Sequence, residues 1–504
     1  MTAVEPALPP TRAPKTPWLH DRSPTTRLVL RWLFIAIATG IAFHATIASV
    51  VDSALRGGLN GYVLVVPFAC VLAAIGVTLR NRTELPIHDR ETDVIVAIIG
   101  LVLAFLIQAV LLGRYSLFFH LLRLDLVALW FFVVSAAVAL FGLRPIYRFR
   151  WPWLLGMTAF PLPYHIAVSQ LGGSHVAAGA VTLGVAALAT AVAAARTARR
   201  GLLGALAAVC VGGLILFAMD TWTPWAKLFA FQAIPAMAAL VLVAGTLLLH
   251  TLRTQPQLVL DRKVEPLAAK QVWSALPVVM VIAVALSFAP VPAAAGLPSK
   301  ELTDVDFGDP LAAPAGWHLA ETQRYPWVSR VYGEGAVLVR QKFVADVGNP
   351  DWDKFARPRA VIVDSVTTTR PFAFTTYPPR VLYSVAQIRL STRSRVPLGD
   401  GVEAALVNVI DDDILITWDA LDWSWGDRHR AQQVTIFSSD NHEPDAPFPT
   451  PSGALGPTLA TLITVLLRGN AAVTDDAPAF KDADMLVEFG RGLVAAQEHQ
   501  VGAS

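Results

Sequence analysis

The sequence predicts an α-helical polytopic membrane domain followed by an extracytoplasmic α+β domain. Three observations predict it. Of 504 residues, 54% are hydrophobic and 15% charged, whereas soluble domains carry about 25% charge. Apolar runs near the about 20 residues needed to cross a bilayer recur through the first 295 residues and then stop. Charge changes sign at the same place: residues 1–295 hold 22 Lys+Arg against 11 Asp+Glu, and residues 296–504 hold 18 against 27.

Residues 1–27 contain six prolines and no apolar run, which makes them a disordered cytoplasmic tail. Leu28–Val51 is too long for a signal peptide and lacks a small-residue cleavage site, so it reads as a spanning helix. Further runs at 61–79, 93–113, 125–142, 152–169, 176–195, 202–219, 227–249 and 272–292 bring the expectation to nine helices, in a domain bounded by residues 28 and 295. They are too long for barrel strands and lack polar alternation. With the N-terminus inside, cytoplasmic segments hold eighteen Lys/Arg and the outer loops hold four: Arg56, Arg114, Arg123 and Lys227. That asymmetry orients the chain in the cell (inner or plasma) membrane. Nine crossings then place residues 296–504 outside the cytoplasm.

After an Ala/Pro/Gly-rich linker at 293–316, β-branched runs appear at Ala336–Ala345, Ala360–Thr367, Val381–Leu390, Ile414–Trp418 and Val434–Ser438. Helical patterns near 455–468 and 480–499 close the chain. Strands followed by helices make one α+β domain, large enough to bury its own core. Cys70 and Cys210, the only cysteines, lie in apolar segments, so the polar half has no disulfide framework or thiolate zinc site. There is no phosphate loop, dinucleotide fingerprint or HExxH motif, and no cofactor or metal is expected. Asp411-Asp412-Asp413 lacks EF-hand spacing and reads as a turn.

Asn60-Gly61-Tyr62-Val63-Leu64-Val65-Val66-Pro67 with Arg80-Asn81-Arg82, then Gly142-Leu143-Arg144, then Phe160-Pro161-Leu162-Pro163-Tyr164 carry a resemblance. Over about residues 50–170 the chain resembles the exosortase/archaeosortase family of polytopic membrane proteases. The resemblance implies a bacterial envelope protein with cysteine protease or transpeptidase chemistry. That family's nucleophile lies in a small-residue Ala-Cys-Ser-Gly-type motif. The nearest counterpart is Ala207-Ala208-Val209-Cys210-Val211-Gly212-Gly213, with no Ser after Cys210. On this reading Cys210 is the candidate nucleophile, with His165 and Arg123 as its candidate partners.

The residues themselves point to two further groups. Asp52, Arg56, Arg114, His120, Arg123, Asp125, His165, His175 and Asp220 all map to the outer membrane face, where imidazoles and carboxylates suit acid/base or binding work. Trp423 and Trp425 with Arg428 and His429 form the densest aromatic and charged stretch, suited to a sugar or lipid headgroup or to a core beside a polar turn. Partners are the lipid bilayer and an exported protein, lipid or glycan; nothing suggests nucleic acid. Three readings stay open: an exosortase-like protein acting on or binding a secreted or cell-wall component, a non-enzymatic anchor whose exported domain binds a partner, and a transporter or flippase. The absence of Asp, Glu, Lys or Arg deep in the helices weighs against the last.

Overall fold

The computed structural model describes residues 24–79, 90–254, 269–292, 310–383, 388–427, 429–443, 445–453 and 474–501. Its main helices are α1 (Pro24–Ala42), α2 (His44–Leu55), α3 (Val66–Thr78), α4 (Arg90–Leu106), α5 (Leu124–Phe141), α6 (Pro161–Gln170), α7 (His175–Ala194), α8 (Ala198–Trp222), α9 (Leu228–Thr254) and α10 (Ala269–Ser287). Six stretches among the described residues are long and apolar enough to cross a membrane: Leu59–Thr78, Glu91–Arg114, Leu124–Phe141, His175–Ala194, Ala198–Trp222 and Leu228–Thr246. A bent pair raises this to seven. A helical membrane region followed by a sheet-rich domain is therefore present, and the described residues account for six or seven of the nine expected spans.

Each departure has a local cause. The expected first span bends by 76° between Thr26–Ala42 and His44–Leu55. There the His44 imidazole donates to the Ile41 carbonyl at 3.2 Å, near the bend where helix-end carbonyls lose their partners. The expected span 152–169 is broken. A helix Arg150–Gly156 and a 3-10 turn Met157–Ala159 lead to extended Phe160, and α6 then starts at Pro161. Pro161 and Pro163 lack the N–H groups that would continue a helix. In the expected ninth span, the apolar stretch is only Ala275–Ser287.

The helices form two sub-bundles. α1, α4, α5 and α10 close around Ile35, Leu101, Phe132, Ala136 and Leu286. α3, α7, α8 and α9 close around Leu72, Leu183, Ala189, Ala208 and Ala239. Small residues dominate the second seam because lipid offers no hydrophobic drive, and close backbone approach supplies the contact instead. Gly76 shows this: a Cβ there would collide with the Ala193 backbone.

The second domain is a nine-stranded sheet: β1 (Trp317–Tyr325), β2 (Val337–Ala345), β3 (Ala360–Thr368), β4 (Ile388–Ser391), β5 (Ser394–Gly399), β6 (Val402–Asp411), β7 (Ile416–Gly426), β8 (Ala431–Ser439) and β9 (Thr474–Asp475). Their order is β1-β2-β3-β8-β7-β6-β4-β9, with β5 on β6, and every pairing is antiparallel except β4–β9. Val381–Leu390, expected as one strand, begins as a 3-10 turn (Pro379–Leu382) and contributes only the short β4. Asp411–Asp413 does turn the chain between β6 and β7. The expected helix near 455–468 lies outside the described residues.

One face of the sheet is covered by α11 (Ala483–Val501), through Met485, Leu486, Phe489 and Leu493 against Val361, Leu421, Trp423 and Ile436. Among the described residues the other face carries only short helical turns, Ser329–Tyr332 and Phe372–Thr376. Its residues Ile362, Val366, Trp418 and Phe437 share one hydrophobic cluster with Tyr332, Phe374 and Tyr377. That cluster continues without a break into Val50, Tyr62, Leu126 and Tyr164 of the bundle. The two halves thus share a core.

Candidate functional site at the junction of helices and sheet

Residues that the loop charges assign to one side of the membrane gather at the end of the bundle that meets the sheet. The Phe372 ring lies against the backbone of Gly58 and 5.2 Å from the His120 ring. Arg370 donates to the Gly173 carbonyl at 3.1 Å, and His175 lies 3.8 Å from Glu334. At the opposite end of α5, Arg31 donates to the Leu140 carbonyl, and Asp93 accepts the N–H of Leu143.

At the centre of the junction is a buried chain of hydrogen bonds. The Asn60 amide nitrogen donates to the His120 carbonyl at 2.8 Å, so its Oδ1 is the acceptor for His165 Nε2–H at 2.9 Å. A neutral imidazole then has Nδ1 as acceptor, and the Tyr377 hydroxyl donates to it at 2.6 Å. Asn60 comes from the 3-10 turn Leu59–Leu64, His165 from α6, and Tyr377 from the segment after β3. Beneath them Tyr62 and Tyr164 stack at 3.7 Å. Gln232 of α9 donates to the Tyr164 hydroxyl at 2.9 Å and to the Leu59 carbonyl at 2.8 Å. The motif segments around Asn60 and Tyr164 thus meet in space. Burial pushes the Tyr377 phenol upward.

Next to this chain lies a locked ion pair. Arg123 and Asp125 are both fully buried and joined bidentately at 3.0 and 2.8 Å. Arg123 also donates to the Thr46 carbonyl and the Ser49 hydroxyl of α2, both at 3.2 Å. Arg123 has a left-handed backbone with φ 44°, a strained conformation for a residue bearing a Cβ. His120, three residues earlier, sits edge-on between Phe119 and Phe372. Neither of its ring nitrogens finds a partner among the described residues. Burial, reinforced by Arg123 and His165, pushes this imidazole down to about 3.

The sequence-derived candidates divide accordingly. His165, His120, Arg123 and Asp125 converge on the junction. His175 flanks it, Arg114 and Asp220 are exposed, and Asp52 with Arg56 forms a surface pair at 2.8 Å. Cys210 lies on the outward face of α8 with exposed Leu206, Val209, Leu214 and Phe217, away from the buried imidazoles. Trp423 and Trp425 are 3% and 0% exposed and pack in the core under α11, so they present no surface to a headgroup. His429 is exposed beside Asp427, whose carboxylate accepts its backbone N–H, and Arg428 lies outside the described residues. Tyr377, Arg370 and Gln232 are site residues that sequence reasoning misses, whereas Tyr164 enters it only as the end of the Phe160–Tyr164 motif. For the first two the only local hint is a flanking proline, in Arg370-Pro371 and Tyr377-Pro378-Pro379. Among the described residues no group of three His, Cys, Asp or Glu is placed to hold a metal ion.

No family model, curated protein or solved structure matches the chain. The fold and the junction therefore define the class directly: a membrane protein whose helical bundle and sheet domain are joined through a buried polar site.

Proposed function

We propose that this chain is a multi-pass membrane protein of a bacterial cell envelope, built on an exosortase-like scaffold, with its sheet domain outside the cytoplasm. It binds or acts on a polar exported component, a protein, lipid or glycan, at the junction of helices and sheet. The loop-charge asymmetry supports the orientation. The observation that carries the reading is the Tyr377–His165–Asn60 chain with the unpartnered polar atoms around it. Ser53 Oγ, both His120 nitrogens and Gln232 Oε1 on the bundle side, and Arg370 Nη1 and Thr375 Oγ1 on the sheet side, are buried without hydrogen-bond partners among the described residues. An interface kept permanently dry satisfies such groups, and a site that receives a polar ligand leaves them free.

The place of Cys210 favours binding or assembly over thiol chemistry. A cysteine nucleophile needs a base within hydrogen-bond reach, and this thiol faces outward among apolar side chains. A deletion strain tests the reading through whatever envelope property the deletion alters. Wild type and Cys210→Ser should restore it. His165→Leu and Asn60→Ala should not, at matched protein levels. Full restoration by His165→Leu would overturn the junction as the site, and failure of Cys210→Ser alone would bring the protease reading forward.

A further inference from the structure

Arg370 differs from the three arginines that are buried with an acid; half-buried Arg380 also lacks a carboxylate among the described residues, but it reaches the Ile388 carbonyl of its own segment. Arg123 is paired with Asp125, Arg340 with Asp364 at 2.7 and 2.6 Å, and Arg359 with Asp482. Arg370 is 7% exposed and has no carboxylate within ion-pair distance among the described residues. Its Nε reaches the Tyr332 carbonyl at 3.4 Å, its Nη2 the Gly173 carbonyl at 3.1 Å, and its Nη1 has no partner among the described residues. Breaking a buried pair by removing one partner is strongly destabilising, because a charge is left without compensation. Here the chain carries that situation by construction.

The surroundings are built for the guanidinium but not to neutralise it. Gly333, with φ 106°, lies so close that a Cβ would collide with Arg370 Nε, and Gly173, with φ 74°, abuts the Arg330 carbonyl. His165, His175, Tyr164 and Tyr377 all interact electrostatically with Arg370, and none of them is an acid at neutral pH. Glu334 also acts on it, but that side chain is 71% exposed and turned to His175.

We propose that Arg370 is the anchor for an oxyanion, a phosphate or carboxylate, carried by the ligand that enters the junction. This inference rests on the junction being a binding site and names the chemistry of its ligand. The guanidinium fork suits such a group, with the free Nη1 donating to one oxygen. The short turn Phe372–Thr376, two residues after Arg370, packs over His120 and Gly58 at the same junction.

The test uses the full chain in nanodiscs. Thermal stability and ligand retention are measured with inorganic phosphate, with acetate, and with phosphatidylglycerol against phosphatidylcholine as the lipid. Chloride at equal ionic strength is the control. Wild type should be stabilised by at least one oxyanion over chloride. Arg370→Gln should weaken that ligand by roughly 10-fold or more, as expected for a charge-assisted hydrogen bond, and Arg370→Lys by less. An effect of phosphatidylglycerol without inorganic phosphate assigns a lipid headgroup, and the reverse assigns a free anion. The wild-type comparison needs no variant to fold, and absence of stabilisation by every oxyanion overturns the proposal. Equal affinity in Arg370→Gln overturns it as well. Either failure leaves the His165→Leu complementation result standing, so it is distinguishable from failure of the junction itself.

Discussion

Arg359 and Arg370 stand at opposite ends of one strand, β3, nine residues long and so about 30 Å from end to end. At the far end, Arg359 bonds Asp482, the Ser438 hydroxyl at 3.0 Å and the Ser439 carbonyl at 2.9 Å. Ser438 donates to the same Asp482, and His442 lies 2.9 Å from Asp353, which also pairs with Arg357 at 3.1 Å. There each arginine has a carboxylate partner. At the membrane end, the Arg370 guanidinium donates to the Tyr332 and Gly173 carbonyls and to no carboxylate among the described residues. Arginine–carboxylate pairing marks a network that holds the sheet together, and the unmatched polarity at the membrane end is what the oxyanion proposal rests on.

The largest effects should follow from breaking what is matched or shared. Asp482→Ala leaves Arg359 buried without its acid, and should cost about 3–5 kcal/mol of stability, read by thermal or denaturant unfolding. Residues 310–501 expressed alone should self-associate. Without the bundle, Tyr332, Phe374 and Tyr377 lose their cover and form an exposed apolar patch. A monomeric, cooperatively unfolding fragment would show that the shared core contributes little.

Much of the fold is legible in the sequence, for physical reasons that also explain the misses. Helices with most of their surface outward, such as α4 and α8, need apolar runs and show them. The bend at Phe43 and the break at Phe160 interrupt runs whose hydropathy stays high, so composition does not register them. β3 and β8 are buried on both faces and dense in β-branched residues, whereas β1 is an edge strand with mostly exposed side chains and has no such pattern. His120, Arg123 and His165 stand out as ionisable groups at helix ends. Tyr377 reaches His165 across 212 positions of sequence, and nothing local distinguishes it from a surface tyrosine.

Smaller effects should appear at the junction. Tyr377→Phe removes one buried hydrogen bond and leaves His165 Nδ1 without its donor, at a cost of about 1–3 kcal/mol. The His120 imidazole is held neutral in the fold, near 3, against an ordinary value of 6.5. The unfolded chain therefore binds the extra proton first as pH falls. Stability is intact above pH 6.5 and is lost between 6.5 and 3, with a slope of up to about 1.4 kcal/mol per pH unit from this group. His120→Phe should flatten the thermal midpoint against pH between 6.5 and 5. An unchanged slope would mean that the ring is solvated and can hold its proton.

The smallest effect should be at Cys210. Its thiol lies on the outward face of α8, beside Val209 and within a turn of Leu206 and Leu214, and no polar group of the junction reaches it. Replacing sulfur by oxygen at a surface position away from packing and hydrogen-bond networks changes stability by about 0.5 kcal/mol or less. Cys210→Ser should match wild type in thermal midpoint, oxyanion response and complementation. Cys70 is half-buried in α3, where Gly156 and Trp130 also pack, so it gives a second thiol for comparison. In intact cells, a small membrane-permeant maleimide should label Cys210 faster than Cys70, and a charged maleimide should label neither. Rapid reaction of Cys210 with the charged reagent would place the thiol in water and restore thiol chemistry as the centre of function.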